Sequence, residues 1–345
     1  MFEPNFTITN KIVKNLTFIA EARAIILNAP LVPKWEVTLR RDALLQSAHS
    51  STAIEGNPLS LDEVTKLAEG REIMVRRKDK QEVLNYIEAL EKIPDFAKLT
   101  PFVKQNILDI HKIVTKETLE NPKDEGVFRD RQVVVGNKRT GEIIFTPPPT
   151  NQVPKLIDKF LDWFNSEQTK EIDPIIEAGI VHYEIVRIHP FVDGNGRTAR
   201  VLATMTLYKR GFDAKRFFAL DDYYDHDRPS YYAVLRNVDQ KSLDLTEWLE
   251  YFTEGVAVSL KVVKDKVVGL SKNIKVLKEK GQIALTERQM KIVEWIIKHG
   301  QITNREVREM FSLSNRVALD EILKLIELKV IKQVGKGRSV HYVLN

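Results

Sequence analysis

The chain has 345 residues, 43% hydrophobic and 29% charged, with 53 Lys+Arg against 48 Asp+Glu for a formal net charge of +5. That balance excludes wholesale disorder, and the length allows two or three domains with buried cores. Cysteine is absent, which excludes disulfides, thiolate metal sites and cysteine nucleophiles and fits a reducing, cytoplasmic setting.

Charge is unevenly spread. Residues 261–345 carry a formal +9 and residues 1–260 the remaining −4, which suggests two tasks, one of them facing an anionic partner. The opening MFEPNFTITN has no basic region followed by an apolar core, so no signal peptide is expected. The apolar stretch Leu16–Val32 is interrupted by Glu21 and Arg23, and no membrane span is expected.

In chain order, residues 36–55 read as a helix stopped by Gly56-Asn57-Pro58. A new helix starts at Ser60, with Glu63 completing a capping box. Residues 81–92 and 102–118 read as helical. Residues 131–146 hold two β-rich runs around a Gly/Asn/Lys turn and predict a hairpin, with TPPPT as a stiff exit. Helical patterns resume at 152–165, 173–188, 196–210, 229–236 and 243–280. From Gln282 onward, three helices precede two short strands, the outline of a winged helix-turn-helix. Thr303 is the N-cap of the second of these helices.

The informative stretch is His189-Pro190-Phe191-Val192-Asp193-Gly194-Asn195-Gly196-Arg197-Thr198-Ala199-Arg200. Pro190 forces the preceding helix to end near His189. Asp193-Gly194-Asn195-Gly196 predicts a tight turn with two glycines able to take positive φ. A helix follows, closed by Gly211. The stretch therefore places a glycine-rich loop at a helix N-terminus, where N–H groups and the dipole attract anions. Arg197 and Arg200 share a face of the first turn, where the dipole opposes them unless a polyphosphate lies between. Asp193 is a hard oxygen ligand suited to Mg²⁺, and His189 is placed to act as a general base.

HPFVDGNGRTAR matches the Fic-domain signature His-Pro-Phe-x-Asp/Glu-Gly-Asn-Gly-Arg-x-x-Arg at every defined position, and the whole chain resembles a Fic protein with an N-terminal helical segment and a C-terminal winged helix. One flank departs: Val186-Arg187 precedes Ile188 where many members carry Phe-Glu. The resemblance implies transfer of AMP from ATP to a Tyr, Thr or Ser hydroxyl of a target protein or of the chain itself. It implies that His189 takes the hydroxyl proton and that Asp193 holds Mg²⁺ on the phosphates. It further implies that Gly194, Asn195 and Gly196, with the adjoining Thr198 and Ala199, form the nucleotide cradle, and that Arg197 and Arg200 bind the outgoing phosphates. Ser51-Thr52-Ala53-Ile54-Glu55-Gly56 matches the family's inhibitory pattern Ser/Thr-x-x-x-Glu-Gly/Asn. This implies that Glu55 pairs with Arg200 and blocks the productive γ-phosphate position, with Ser51 one turn earlier. The 133–145 hairpin matches the flap that docks a target by strand addition, with Val135 and Gly136 nearest the nucleotide. Tyr231-Tyr232 matches a segment beside the adenine, and Tyr232 is preferred for that contact. The acidic stretch 221–227 with His226 reads as a solvated loop rather than a metal site.

The expected fold is mainly α, a Fic-type helical core with a hairpin flap. Its expected divisions are 1–95 with the inhibitory motif 51–56, a 96–256 core, a 257–281 linker and a 282–345 winged helix. Arg316, Lys336 and Arg338 are the candidate DNA contacts, although the charges of the third helix nearly cancel. The expected function is an autoinhibited adenylyltransferase. The alternatives left open are a nucleotide-sensing DNA-binding regulator and the reverse reaction, removal of AMP. A homodimer is a further expected partner, since both modules commonly dimerise.

Overall fold

The computed structural model describes residues 2–29, 31, 33–136, 143–212, 214–274, 285–335 and 337–344. Helices dominate, as the periodicity predicts. Thr9 caps α1 (Asn10–Asn28) by accepting the Ile12 N–H at 3.3 Å, and Ile12, Ile19, Ala22 and Ile26 form its buried stripe. The interrupted apolar run of the sequence falls largely within this helix, and its stripe packs on the last long helix of the core. α2 (Pro33–Ile54) opens on a proline, whose missing N–H costs nothing at that position, and stops before Gly56 at φ +95°. α3 (Leu61–Ala68) has the expected Ser60/Glu63 capping box. α4 (Arg77–Glu91), α5 (Ile93–Ala97) and α6 (Lys104–Thr115) follow.

The hairpin is short. β1 (Val135–Gly136) pairs antiparallel with β2 (Ile143–Phe145), with a register shift between Val135 and Gly136. Residues 137–142, where the expected turn falls, lie outside the described residues. α7 (Val153–Phe164), α8 (Glu167–Glu171), α9 (Pro174–Ile188) and α10 (Asn195–Lys209) lead to α11 (Leu220–His226), α12 (Arg228–Asn237) and α13 (Thr246–Ile274). The acidic stretch at 221–227 is thus helical, not a solvated loop, because Leu220, Asp221 and Tyr224 turn inward. Residues 275–284 of the expected connecting segment lie outside the described residues.

α9 is buried on nearly every face, from Ile175 to Ile188, and is the axis of the main core. α13 lies against it where Gly179 removes a side chain: a Cβ there would meet Leu249 at 2.8 Å and Phe252 at 3.1 Å. At that crossing the Trp248 Nε1–H donates to the Gly179 carbonyl at 2.8 Å. α10 packs beside α9, so the loop joining them sits at one end of the core. The main buried cluster runs from Ile12 to Val267, across the expected division at 95/96.

A second core gathers α14 (Glu287–His299), α15 (Asn304–Phe311), α16 (Asn315–Glu327), β3 (Ile331–Val334) and β4 (His341–Leu344). β3 and β4 pair antiparallel from Ile331 opposite Leu344 to Val334 opposite His341. Val37 of α2 is buried in this cluster, and Arg40 reaches Glu294 of α14 at 2.6 Å. α2 therefore joins both cores. Trp248 is fully buried; Trp248→Ala is expected to lower unfolding free energy by about 3–5 kcal/mol in a urea titration.

Candidate active site

The loop between α9 and α10 is built from its backbone. Pro190 bars His189 from continuing α9, and His189 turns left-handed at φ +50° while its N–H still bonds the Ile185 carbonyl at 3.0 Å. Its Nδ1 lies 3.1 Å from the Val186 carbonyl oxygen. A carbonyl only accepts, so the ring proton sits on Nδ1 and Nε2 keeps its lone pair. Burial lowers the His189 pKa from 6.5, outweighing the Val186 hydrogen bond and the charges of Glu55 and Asp193, which raise it. The imidazole is therefore neutral at pH 7.

Beneath the loop, His111 stacks on Phe191 with centroids 3.6 Å apart and planes 3° apart. Its Nδ1 accepts the Gly126 N–H at 3.0 Å, so its Nε2–H donates to the Asp193 carbonyl at 2.9 Å. Burial lowers this histidine to about 4, fixing a neutral tautomer. The Asn195 side chain brackets Phe191, accepting its N–H at 2.9 Å and donating to its carbonyl at 3.0 Å. Only its main chain remains for a ligand. Of the two glycines expected at positive φ, Gly194 alone is left-handed, at +79°. Gly196 lies within α10.

At the start of α10 the first intrahelical bond runs from the Thr198 N–H to the Gly194 carbonyl at 3.0 Å. The N–H groups of Asn195, Gly196 and Arg197 precede it and form the anion-facing end. Thr198 and Ala199 are fully buried. Their backbone is already in the helix ladder and their side chains face the core, which corrects the expectation that they contact nucleotide. The Arg197 guanidinium is buried. Its Nε and Nη1 have no hydrogen-bond partner, and the nearest carboxylates are Glu82 at 3.6 Å and Asp193 at 3.8 Å. Leaving such donors unpaired is costly.

Arg200 contrasts with it. Its Nε donates to Ser51 Oγ at 2.7 Å, and its Nη2 to the Ser51 carbonyl at 2.9 Å and to Glu55 Oε1 at 2.8 Å. Asp221 of α11 lies 3.4 Å from Nε, also buried. Burial pushes the Asp221 carboxyl up while the Arg200 charge holds it back. A Cβ on Gly196 would collide with Glu55 Oε1 and sit 3.1 Å from Arg200 Nη1. Glu55 thus lies directly against the α10 N-terminus.

Of the tyrosine pair, Tyr231 is 1% exposed and its hydroxyl is 2.9 Å from His182 Nε2 inside an aromatic core. It is a core residue, which removes it as a base contact. Tyr232 is 40% exposed and its hydroxyl donates to the Ile54 carbonyl at 3.3 Å, beside Glu55. Arg129 ties the hairpin to the loop: its Nε donates to the His189 carbonyl at 2.8 Å, its N–H to the Pro190 carbonyl at 2.9 Å, and its Nη1 to Thr150 Oγ1 at 2.6 Å. On the hairpin, Val134 and Ile143 are exposed beside half-buried Val135 and exposed Gly136. His111, Arg129 and Asp221 were missed by sequence reasoning. Each acts from a different helix or loop, and no local spacing signals it.

Among the described residues no group of three or more His, Asp or Glu forms a metal cage. Asp193 alone, its side chain 54% exposed, suits Mg²⁺, which commonly takes one or two carboxylates plus substrate phosphate oxygens. Arg316 is exposed on α16. Lys336 and the Arg338 side chain lie outside the described residues.

The family model for the Fic/DOC family matches residues 98–207. Over 221 residues the chain is 28% identical to a protein adenylyltransferase Fic of Drosophila willistoni, covering 61% of this chain and 43% of that one. Over 183 residues it is 32% identical to protein adenylyltransferase fic-1 of Caenorhabditis elegans, covering 50% and 34%. The chain thus spans less than half the length of these curated relatives. The fold matches a solved Fic family protein from Desulfovibrio desulfuricans at TM-score 0.66 and 23% identity, over 100% of this chain and 98% of that one.

The buried His189 ring should titrate below 6.5. An NMR pH titration is expected to show Nδ1-protonated neutral imidazole at pH 7; a midpoint above the ordinary value would contradict the geometry.

Proposed function

We propose that the chain, whose residues 98–207 match the Fic/DOC family, is a Fic-family protein and an autoinhibited protein adenylyltransferase, moving AMP from ATP to a hydroxyl side chain of a target protein or of itself. The observation that carries this reading is the buried Arg197 guanidinium, short of acceptors at a helix N-terminus, a few residues from a neutral histidine. A polyphosphate supplies the missing acceptors, and the histidine supplies the base.

In the forward step the target hydroxyl oxygen attacks the α-phosphorus, a new P–O bond forms, and the bond to the β-phosphate oxygen breaks. The hydroxyl proton passes to His189 Nε2, and pyrophosphate leaves. The N–H groups of Asn195 and Gly196 hold phosphate oxygens, while Arg197 and Arg200 stabilise charge on the leaving group. Mg²⁺ held by Asp193 would neutralise the phosphate oxygens. Most of the rate enhancement comes from position and charge complementarity, as in other phosphoryl transfers. The hairpin offers an exposed edge for a target strand.

The Arg200 contacts support the autoinhibited reading. While its Nη2 is held by Glu55, that guanidinium is withdrawn from a γ-phosphate, and Glu55 adds negative charge where phosphate would lie. The alternative of a DNA-binding regulator draws less support. α16 turns Leu319 and Leu323 outward alongside Arg316, Asp320, Lys324 and Glu327, whose charges cancel, which suits a protein surface better than a polyanion. A duplex titration at physiological salt tests this, and tight salt-dependent binding would overturn it.

With α-³²P-ATP and Mg²⁺, Glu55→Gly is expected to self-label at least about tenfold faster than wild type, a change worth about 1.4 kcal/mol of restored phosphate binding. Glu55→Gly/His189→Ala is expected to be unlabelled. Equal labelling of wild type and Glu55→Gly would sink the inhibitory assignment. The rate of Glu55→Gly should hold near neutral pH and fall in acid, because His189 loses its base function as pH drops through its depressed pKa.

A further inference from the structure

The carboxylate proposed as inhibitor sits just past the end of its helix. α2 ends at Ile54, and the chain leaves through Glu55, Gly56 at φ +95° and Asn57. Three backbone bonds curl this turn back onto α2. The Glu55 N–H donates to the Thr52 carbonyl at 3.1 Å, the Gly56 N–H to Ala53 at 2.9 Å and the Asn57 N–H to Thr52 at 3.0 Å. All three tie the turn to its own helix.

Asn57 ties it to another one. The residue is buried, and both of its amide protons are used on α4. Its Nδ2 donates to the Asp79 carbonyl at 3.0 Å and to Glu82 Oε2 at 2.9 Å, while its Oδ1 accepts the Leu59 N–H at 3.2 Å. A carbonyl and a carboxylate only accept, so this orientation of the amide is the one the surroundings require. The bond to Glu82 is charge-assisted and so stronger than a neutral one. Arg76 holds the Asp79 carboxylate through Nε at 2.7 Å and Nη2 at 3.0 Å. Leu59 adds an apolar hold, buried with Leu45 of α2, Val64 of α3 and Val83 of α4. The other Glu82 oxygen faces two cations, Arg197 at 3.6 Å and Lys78 at 3.9 Å, so its charge is balanced while it accepts from Asn57.

We propose that Asn57 is a positioning residue: its amide, gripped by Glu82 and the Asp79 carbonyl, fastens the turn after α2 to α4 and keeps Glu55 seated on Arg200. Asn57 lies one residue past the Ser51–Gly56 pattern. The left-handed glycine between it and Glu55 gives the turn a freedom that this grip takes away. The effect on Glu55 rests on the inhibitory reading of that residue; the grip itself does not.

The test uses the full chain and Asn57→Asp, which keeps the shape but sets an acceptor against the Asp79 carbonyl and the Glu82 carboxylate. Self-labelling from α-³²P-ATP is expected to run at least about threefold faster than wild type, the scale of losing such a bond. Added to Glu55→Gly, the same change should give no further rise, because no glutamate is left to release. A residue that merely stabilised the fold would slow both backgrounds. Amide hydrogen exchange at residues 55–57 should quicken at least about tenfold while that of α9 stays unchanged. Adding Glu82→Gln to Asn57→Asp should return both readouts toward wild type, since the new amide at 82 can donate to the new carboxylate at 57; no return removes Glu82 from the grip. If Asn57→Asp exchanges throughout α9, Asn57→Ala replaces it, with the same directions expected. Unchanged exchange at 55–57 overturns the grip. Quicker exchange with wild-type labelling, or an equal rise in both backgrounds, overturns the positioning of Glu55. If Glu55→Gly itself labels no faster than wild type, the inhibitory reading fails while the exchange result still judges the grip.

Discussion

The Arg200 guanidinium is the constraint on which the molecule turns. A charge buried this deeply must be neutralised by partners held in place, since the folded state does not tolerate it alone. Three helices converge to do so: α2 through Ser51 and Glu55, α11 through Asp221, and α10, which carries the arginine itself. Their partners are not equivalent. Asp221 is sealed in, with its side chain 4% exposed, whereas the Glu55 side chain is 30% exposed. Removing Glu55 leaves the arginine with the sealed Asp221 and Ser51; removing Asp221 leaves it with Ser51 and the partly exposed Glu55. The buried partner belongs to the core and the more exposed one is open to replacement, as the inhibitory reading proposed for Glu55 requires.

The same economy governs the histidines. His111 and His189 are both kept neutral by burial, but they use their ring nitrogens differently. His111 uses both, one accepting from Gly126 and one donating to Asp193, so it only props the loop. His189 uses Nδ1 on Val186, and among the described residues Nε2 has no hydrogen-bond partner. With Asn195 bracketing Phe191 and Arg129 bonded to the His189 carbonyl, the nitrogen proposed as the base rests on backbone that has little freedom to shift. Such preorganisation lowers the reorganisation needed at the transition state.

Much of this was legible in the residues. Helix stops and caps were readable because Gly56, Ser60 and Thr303 act locally, through φ freedom and side-chain bonds spanning three residues. The site motif was legible because its chemistry is contiguous. Thr198 and Ala199 were misplaced because a motif's spelling does not say which residues face inward; helix phase does, and it points both to the core. Tyr231 failed for the same reason. Asp221 was hidden because an acidic run looks solvated until a buried arginine from another helix comes to meet it. α1 went unread since its stripe makes sense only against α13.

α2 draws these strands together. A boundary near residue 95 makes sense if the inhibitory segment is an appendage, yet the buried cluster runs unbroken from α1 through α13. α2 packs on α4 and α11 within that cluster, and its first turns enter the C-terminal core through Val37. A helix so embedded does not swing away as a lid. It is more consistent with small shifts along or about its axis, which packed helices allow and which suffice to move one carboxylate off one guanidinium. On the inhibitory reading proposed for Glu55, its contact with Arg200 at the end of a buried rod responds to small shifts of that rod without unfolding anything along it.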